Sequence, residues 1–168
     1  YLENTCILIT TFSSDKNVFE IHDFMPRYLK EADKSHNPPE IIRYFKLVSG
    51  EPTFKVNYNP KLEYAVGETK EYIKKDFIVS LTDKEKFDTL FLYTNFDKEE
   101  VLNGDEITLK KDGYFVISYN EKLLVPTLRK VALELERTKV YWLNWSDLTP
   151  TYKKYNEEIS RSAMTLKL

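Results

Sequence analysis

Glycine is scarce in this chain, with 4 in 168 residues. A phosphate-cradling loop needs several glycines close together so that backbone amides can approach the anion. No such loop can be built here. A single cysteine, Cys6, excludes an internal disulfide and any cysteine-cluster metal site. It stands beside the apolar run Ile7–Thr10 and reads as a small buried hydrophobe. The only histidines are His22 and His36. With no GxSxG context around any serine, a Ser/His/Asp arrangement has no basis in the sequence. No apolar run approaches membrane-spanning length, so no transmembrane helix is expected. The formal charge is −2, and no basic stretch argues for nucleic acid. No internal repeat or low-complexity segment is visible.

What is abundant is aromatic. The chain carries 12 Tyr and 10 Phe. Aromatic residues suit a pleated, half-buried surface, and they also stack on flat ligands such as sugars; sheet core is the simpler account. Hydrophobic residues at 42% and charged residues at 31% support a globular core rather than disorder.

The first 120 residues read as strands and turns. Residues 4–12 form a β-branched apolar run. Residues 17–25 alternate, with Phe19, Ile21, Asp23 and Met25 on the more apolar side. The cluster Ser13–Asn17 between them predicts a hairpin. Residues 27–39 are a polar loop ending in Pro38-Pro39, which blocks regular structure. Residues 40–49 and 53–59 flank Ser49-Gly50-Glu51-Pro52 and predict a second hairpin, with Phe54, Val56 and Tyr58 inward. Short strands follow at 69–74, 77–82 and 87–94, the last two joined by Asp83–Lys86, and 95–104 is a polar link. Residues 106–111 and 114–119 flank Asp112-Gly113, which predicts a two-residue hairpin. Short strands with turn chemistry between them indicate an antiparallel β-sandwich.

The end of the chain changes character. Leu128, Val131, Leu135, Thr138, Trp142 and Trp145 recur at spacings of three and four, the stripe of an amphipathic helix. Thr149-Pro150 reads as the N-cap and first residue of a second helix, with Tyr152, Tyr155, Ile159, Ala163 and Leu166 on one face. No glycine, asparagine or proline closes that helix. It is expected to belong to a further domain, and its stripe to pack on the sandwich or on another molecule.

Candidate chemistry is thin. His22 and Asp23 are adjacent on a strand, so they point to opposite faces and share no site. Glu99-Glu100, Glu134/Glu136 and Glu157-Glu158 supply the carboxylates an inverting glycosidase would need, but each lies among lysines or arginines and reads as a solvated face. Asp23 sits on the apolar side of its strand and needs a partner; a backbone turn is the expected one. Trp142 and Trp145 could form a sugar-stacking platform, but their place on a helix stripe favours packing against protein. No catalytic, cofactor-binding or metal-ligating residue is assigned.

One ordered set of segments resembles a known family. Trp142-x-x-Trp145, followed by a helix that reaches Arg161-Ser162-Ala163-Met164-Thr165-Leu166-Lys167-Leu168, resembles glycoside hydrolase family 15, the glucoamylase and trehalase-like enzymes. Tyr1-Leu2-Glu3-Asn4-Thr5, then Asp23-Phe24-Met25-Pro26, then Arg43 to Gly50 with Pro60 to Tyr64, resemble further segments of that family in the same order. One departure is Ala65, where family members often carry glycine. The resemblance implies an antiparallel super-β-sandwich over residues 1–124, a linker helix over 125–148, and at 149–168 the first helix of an α/α barrel otherwise absent from the chain. It also implies inverting hydrolysis of α-glucosides by two glutamates of that barrel, which match no position here. The implied partners are the chain's own barrel domain and, through the parent enzyme, an α-glucoside; no cofactor, nucleic acid or membrane is implied. Two other functions fit the sequence: a stand-alone carbohydrate-binding sandwich, and an interaction domain with no sugar role. Substrate and compartment are left open.

Overall fold

A computed structural model of the chain describes residues 1–31, 34–82 and 88–168. Its frame is a seven-stranded antiparallel sheet. The strands are β1 (Leu8–Ser14), β2 (Asn17–Phe24), β5 (Glu40–Ser49), β7 (Thr69–Ile73), β8 (Ile78–Thr82), β9 (Thr89–Thr94) and β11 (Gly113–Tyr119). They lie in the order β1-β2-β5-β11-β9-β8-β7. Two short ribbons accompany the sheet: β3 (Tyr28–Leu29) with β4 (Ser35–His36), and β6 (Thr53–Lys55) with β10 (Glu106–Thr108). Helices are α1 (Lys98–Asn103), α2 (Leu128–Asp147) and α3 (Asn156–Lys167). The mainly-β antiparallel class with two C-terminal helices is the observed one.

Both faces of the sheet are covered. On one, Phe24, Ile42, Tyr44, Tyr93, Tyr114 and Val116 pack beneath Val131 and Leu135 of α2. On the other, Phe19, Phe45, Leu92 and Phe115 pack beneath Val101 of α1 and Ile107 of β10. The facing layer of the sandwich is therefore the β6/β10 ribbon with α1. Two covered faces explain why β5 reads Ile-Ile-Arg-Tyr-Phe rather than alternating, since alternation marks a sheet with one wet side. They also correct the one-sided expectation for β2: Phe19 and Ile21 serve one core, while Phe24 and the buried His22 serve the other.

The first hairpin forms as expected, with β1 and β2 in register from Leu8↔Asp23 to Ser14↔Asn17. The next two expected hairpins do not. β5 pairs with β2 and β11, and β6 pairs with β10. β11 lies between β5 and β9. The reason is visible at Asp112-Gly113. The Asp112 carboxylate accepts from the Leu47 N–H at 2.9 Å and from the Tyr44 hydroxyl, tying this corner to β5. A Cβ on Gly113 would stand 2.0 Å from the Phe96 ring, so glycine is required by packing rather than by a turn.

Three local features depart from the expected outline. The 27–39 loop contains the β3/β4 ribbon, although Ala32 and Asp33 lie outside the described residues. The connector Asp83–Lys86, with Phe87, also lies outside them. The polar link 95–104 holds α1, whose N-cap Asp97 accepts from the amides of Glu99 and Glu100 at 2.8 and 3.1 Å. Gly104 closes it with φ 71°, a left-handed stop. At Glu63–Ala65 a single 3₁₀ turn runs left-handed, with φ of 48°, 55° and 62° at three consecutive L-residues. Each such residue costs about 1–2 kcal/mol.

The α2 stripe is confirmed. Thr127 caps the helix, accepting from the Lys130 amide, and Val131, Leu135, Thr138 and Trp142 are buried. The second helix starts later than expected. Thr149 closes α2 instead of opening α3: its hydroxyl donates to the Trp145 carbonyl at 3.0 Å. α3 begins after Tyr155, which holds φ 57°. Its anchor is the buried Met164, not the expected stripe; Leu166 is 90% exposed and Tyr155 72%. That stripe does not pack on the sandwich.

Candidate functional site

Adjacent residues on β2 do separate, and each finds a different partner. His22 Nε2 lies 2.9 Å from Glu20 Oε2, two residues along the same face. That hydrogen bond, with Lys46 at 3.3 Å, holds the Glu20 carboxyl below its usual range against a smaller opposing effect of burial. On the other face Asp23 receives a bidentate pair from Arg43, at 2.7 and 3.0 Å. The expected backbone partner for Asp23 is thus replaced by a side chain directly across the strand pair. Cys6 is half-buried, and burial pushes its thiol up despite the nearby Arg161 and Arg27.

The carboxylate candidates divide. Glu99, Glu100, Glu136, Glu157 and Glu158 are exposed, as expected. Glu134 is not: it is 7% exposed and sits on the inner side of α2. Its Oε1 accepts from the Tyr28 hydroxyl at 3.1 Å, and its Oε2 is buried without a hydrogen-bond partner among the described residues. The signal was present, because position 134 is three after Val131 and four before Thr138, on the same helical face. The basic neighbours in sequence obscured it. The Tyr28 hydroxyl is pushed up by burial and then by the Glu134 charge. The His36 ring lies 4.6 Å from Tyr28, and burial followed by the Lys30 charge lowers its proton affinity.

These contacts clamp the β3/β4 ribbon onto α2. Arg27 completes the clamp. Its amide donates to Thr138 Oγ1 at 3.1 Å, its Nε to the Tyr141 hydroxyl at 3.2 Å, and its Nη1 to the Leu168 carbonyl at 2.7 Å. The guanidinium also lies 5.9 Å from the Trp142 ring. Trp142 is 1% exposed and meets Trp145 edge-on at 5.9 Å, so the pair packs against protein and offers no flat platform.

Two grooves flank this frame. One, of about 1200 Å³, lies between the ribbon and the outer face of α2 and is floored by Tyr28, Val140, Tyr141 and Trp145. Its carboxylates, Glu31 and Glu136, are exposed beside Lys30, Lys34 and Arg137, without the enclosure an acid catalyst needs. The other, of about 550 Å³, runs along β1 and β2 over Phe19, Phe45 and Phe54. Those rings stack on one another at 5.0 to 5.8 Å, which occupies the faces a sugar would use. Among the described residues no three His, Cys, Asp or Glu side chains come together as a metal site.

The segments singled out in the sequence meet in space. Arg161 Nη1 donates to the Thr5 carbonyl at 2.9 Å, and its guanidinium lies 4.2 Å from the Tyr1 ring. Asp23 meets Arg43, and Trp142 lies under Arg27, which directly follows Met25-Pro26. These are framework contacts. Arg161 ties α3 to the N-terminal segment, Arg27 packs on α2, and Asp23–Arg43 joins β2 to β5.

No family model matches the chain, and no solved structure matches it. Its sequence is 26% identical over 178 aligned positions to a trehalase of Thermoplasma acidophilum; the match takes in 100% of this chain and 29% of that protein. The chain thus spans under a third of the length of this curated relative.

Proposed function

We propose that this chain is the N-terminal β-sandwich and linker of an inverting, glucoamylase- or trehalase-like α-glucoside hydrolase. In this reading residues 1–124 form the sandwich, 125–148 the linker helix, and 149–168 the first helix of a catalytic α/α barrel that lies outside the sequence. The observation that carries it is the match of the whole chain to part of a trehalase. Geometry supports it at one point: Arg161 of the last resembling segment bonds Thr5 of the first, and Asp23 of the second bonds Arg43 of the third. The role assigned is support of the barrel, with hydrolysis performed by residues of that other domain.

The test is enzymatic. The purified chain should release no glucose from trehalose, maltose or an aryl α-glucoside, while a longer protein containing it should act on at least one of them. Turnover by the chain alone overturns the proposal. Calorimetric titration with malto-oligosaccharides addresses the stand-alone binding module. No heat is expected, since the ring faces in the β1–β2 groove are already stacked.

A further inference from the structure

The β3/β4 ribbon is held on α2 by side chains gathered around one ring, Tyr28. Its strands have two residues each, and a two-stranded ribbon without support is marginal in water. The Tyr28 hydroxyl donates to Glu134 Oε1 at 3.1 Å, and the Arg137 guanidinium lies 5.1 Å from the Tyr28 ring. The His36 ring meets the same ring at 4.6 Å and 46°. Both ends of the ribbon are anchored apart from these contacts. Arg27 bonds Thr138 and Tyr141 on one side. On the other, the Pro39 carbonyl accepts from the Tyr119 amide at 3.0 Å. Residues 28–37 lie between two fixed points and can pivot on them.

Charge around His36 does not favour a proton on its ring. Lys30 of the ribbon and Lys130 and Arg137 of α2 act on it as cations against Glu134, which already accepts from Tyr28. Glu40, at the start of β5, stands in the field of Lys30, Lys130 and Glu134 as well. Asp33, between the two strands, lies outside the described residues. Burial first, and then Lys30, lowers the affinity of the ring for a proton. Glu134 also gains if the ribbon lifts, because its buried Oε2 then meets water.

We propose that the β3/β4 ribbon is an acid-released flap: protonation of His36 lifts residues 28–37 from α2 and opens the groove that Tyr28 floors. An imidazolium held among those cations is better placed in solvent. The closed ribbon binds this proton more weakly than the open one. Closure is therefore complete above about pH 6.5, the ordinary histidine value, and is lost as pH falls from there toward the lower closed value.

Amide exchange followed by nuclear magnetic resonance tests this. The Lys30 amide donates to the Lys34 carbonyl at 2.8 Å across the ribbon, a bond that frays once α2 no longer supports it. Corrected for intrinsic exchange, its protection should hold down to about pH 6.5 and then fall by up to about tenfold per pH unit, the slope of one proton. Amides of β11 should keep theirs. His36→Phe retains a ring against Tyr28 but cannot titrate, so its Lys30 amide should stay protected to about pH 5. Lys30 protection that is unchanged in the parent down to about pH 5 overturns the proposal, as does a His36 ring that titrates at or above about pH 6.5. A fall shared by β11 is global unfolding and overturns it too. So does a fall that persists in His36→Phe, since the proton then belongs to another group.

Discussion

Replacing Trp142 by alanine should show how far the fold depends on α2. The indole is 1% exposed, meets Tyr141 at 5.4 Å and Trp145 at 5.9 Å, and lies 5.9 Å from the Arg27 guanidinium. Truncation removes its buried area and leaves a cavity, because the helix is pinned beside it. Thr138 accepts from the Arg27 amide and the Tyr141 hydroxyl from Arg27 Nε, so two neighbours of the indole along the helix are tied to the same segment. Fully buried aromatic-to-alanine changes cost about 3–5 kcal/mol. Against a total of roughly 5–15 kcal/mol, that removes about a fifth or more of the stability. For a chain of this size the drop in Tm is about 2–4 °C per kcal/mol, so roughly 6–20 °C. Urea unfolding followed by far-ultraviolet circular dichroism measures the loss, and an unchanged slope would place it in stability rather than in the compactness of either state. Val140→Ala on the exposed side of the same helix should stay within about 0.5 kcal/mol. A Trp142→Ala loss below about 1 kcal/mol, or one equal to that of Val140→Ala, would refute the packing of α2 through this stripe.

Other outcomes follow from single contacts. Gly113→Ala should destabilise by about 1–3 kcal/mol, because the new methyl collides with a Phe96 ring boxed in by Phe45, Phe54 and Phe115; urea titration reads it. Asp97→Ala removes the acceptor for two α1 amides and should cost about 1 kcal/mol by the same method. Ala65→Gly should stabilise by about 0.5–1 kcal/mol, since φ 62° strains alanine and not glycine; a lower Tm would contradict the left-handed turn. Alkaline pH should unfold the chain. Burial raises the hydroxyls of Tyr28, Tyr44, Tyr58, Tyr93 and Tyr114 above their ordinary value. The folded state then holds their protons more tightly than the unfolded chain. Their stabilisation is complete below about pH 10 and is lost as pH rises through the folded values. Unfolding free energies that stay flat from about pH 9 to 11 would rule this out.

Which parts were legible depended on range. The β1–β2 hairpin follows from a turn cluster between apolar runs, and the α2 stripe from side chains three and four apart. Both are set by neighbours along the chain. α1 is not legible because six residues are too few for a periodicity, although Asp97 and Gly104 bracket it as cap and stop. Glu134 reads as exposed because its basic sequence neighbours mask its position on the buried face.

The sequence by itself determined the local chemistry: mainly short strands, two helices at the end, turns at polar clusters, and a set of segments like those of one enzyme family. The tertiary structure alone decided what each element pairs with. Asp112-Gly113 has the composition of a hairpin, but its carboxylate binds β5 and its missing side chain admits Phe96, so β11 crosses between β5 and β9. Asp23 found Arg43, and Arg161 found Thr5, across 20 and 156 residues of chain. Turn propensity is a small energy written in adjacent residues. Strand order is settled by two cores that no short segment contains.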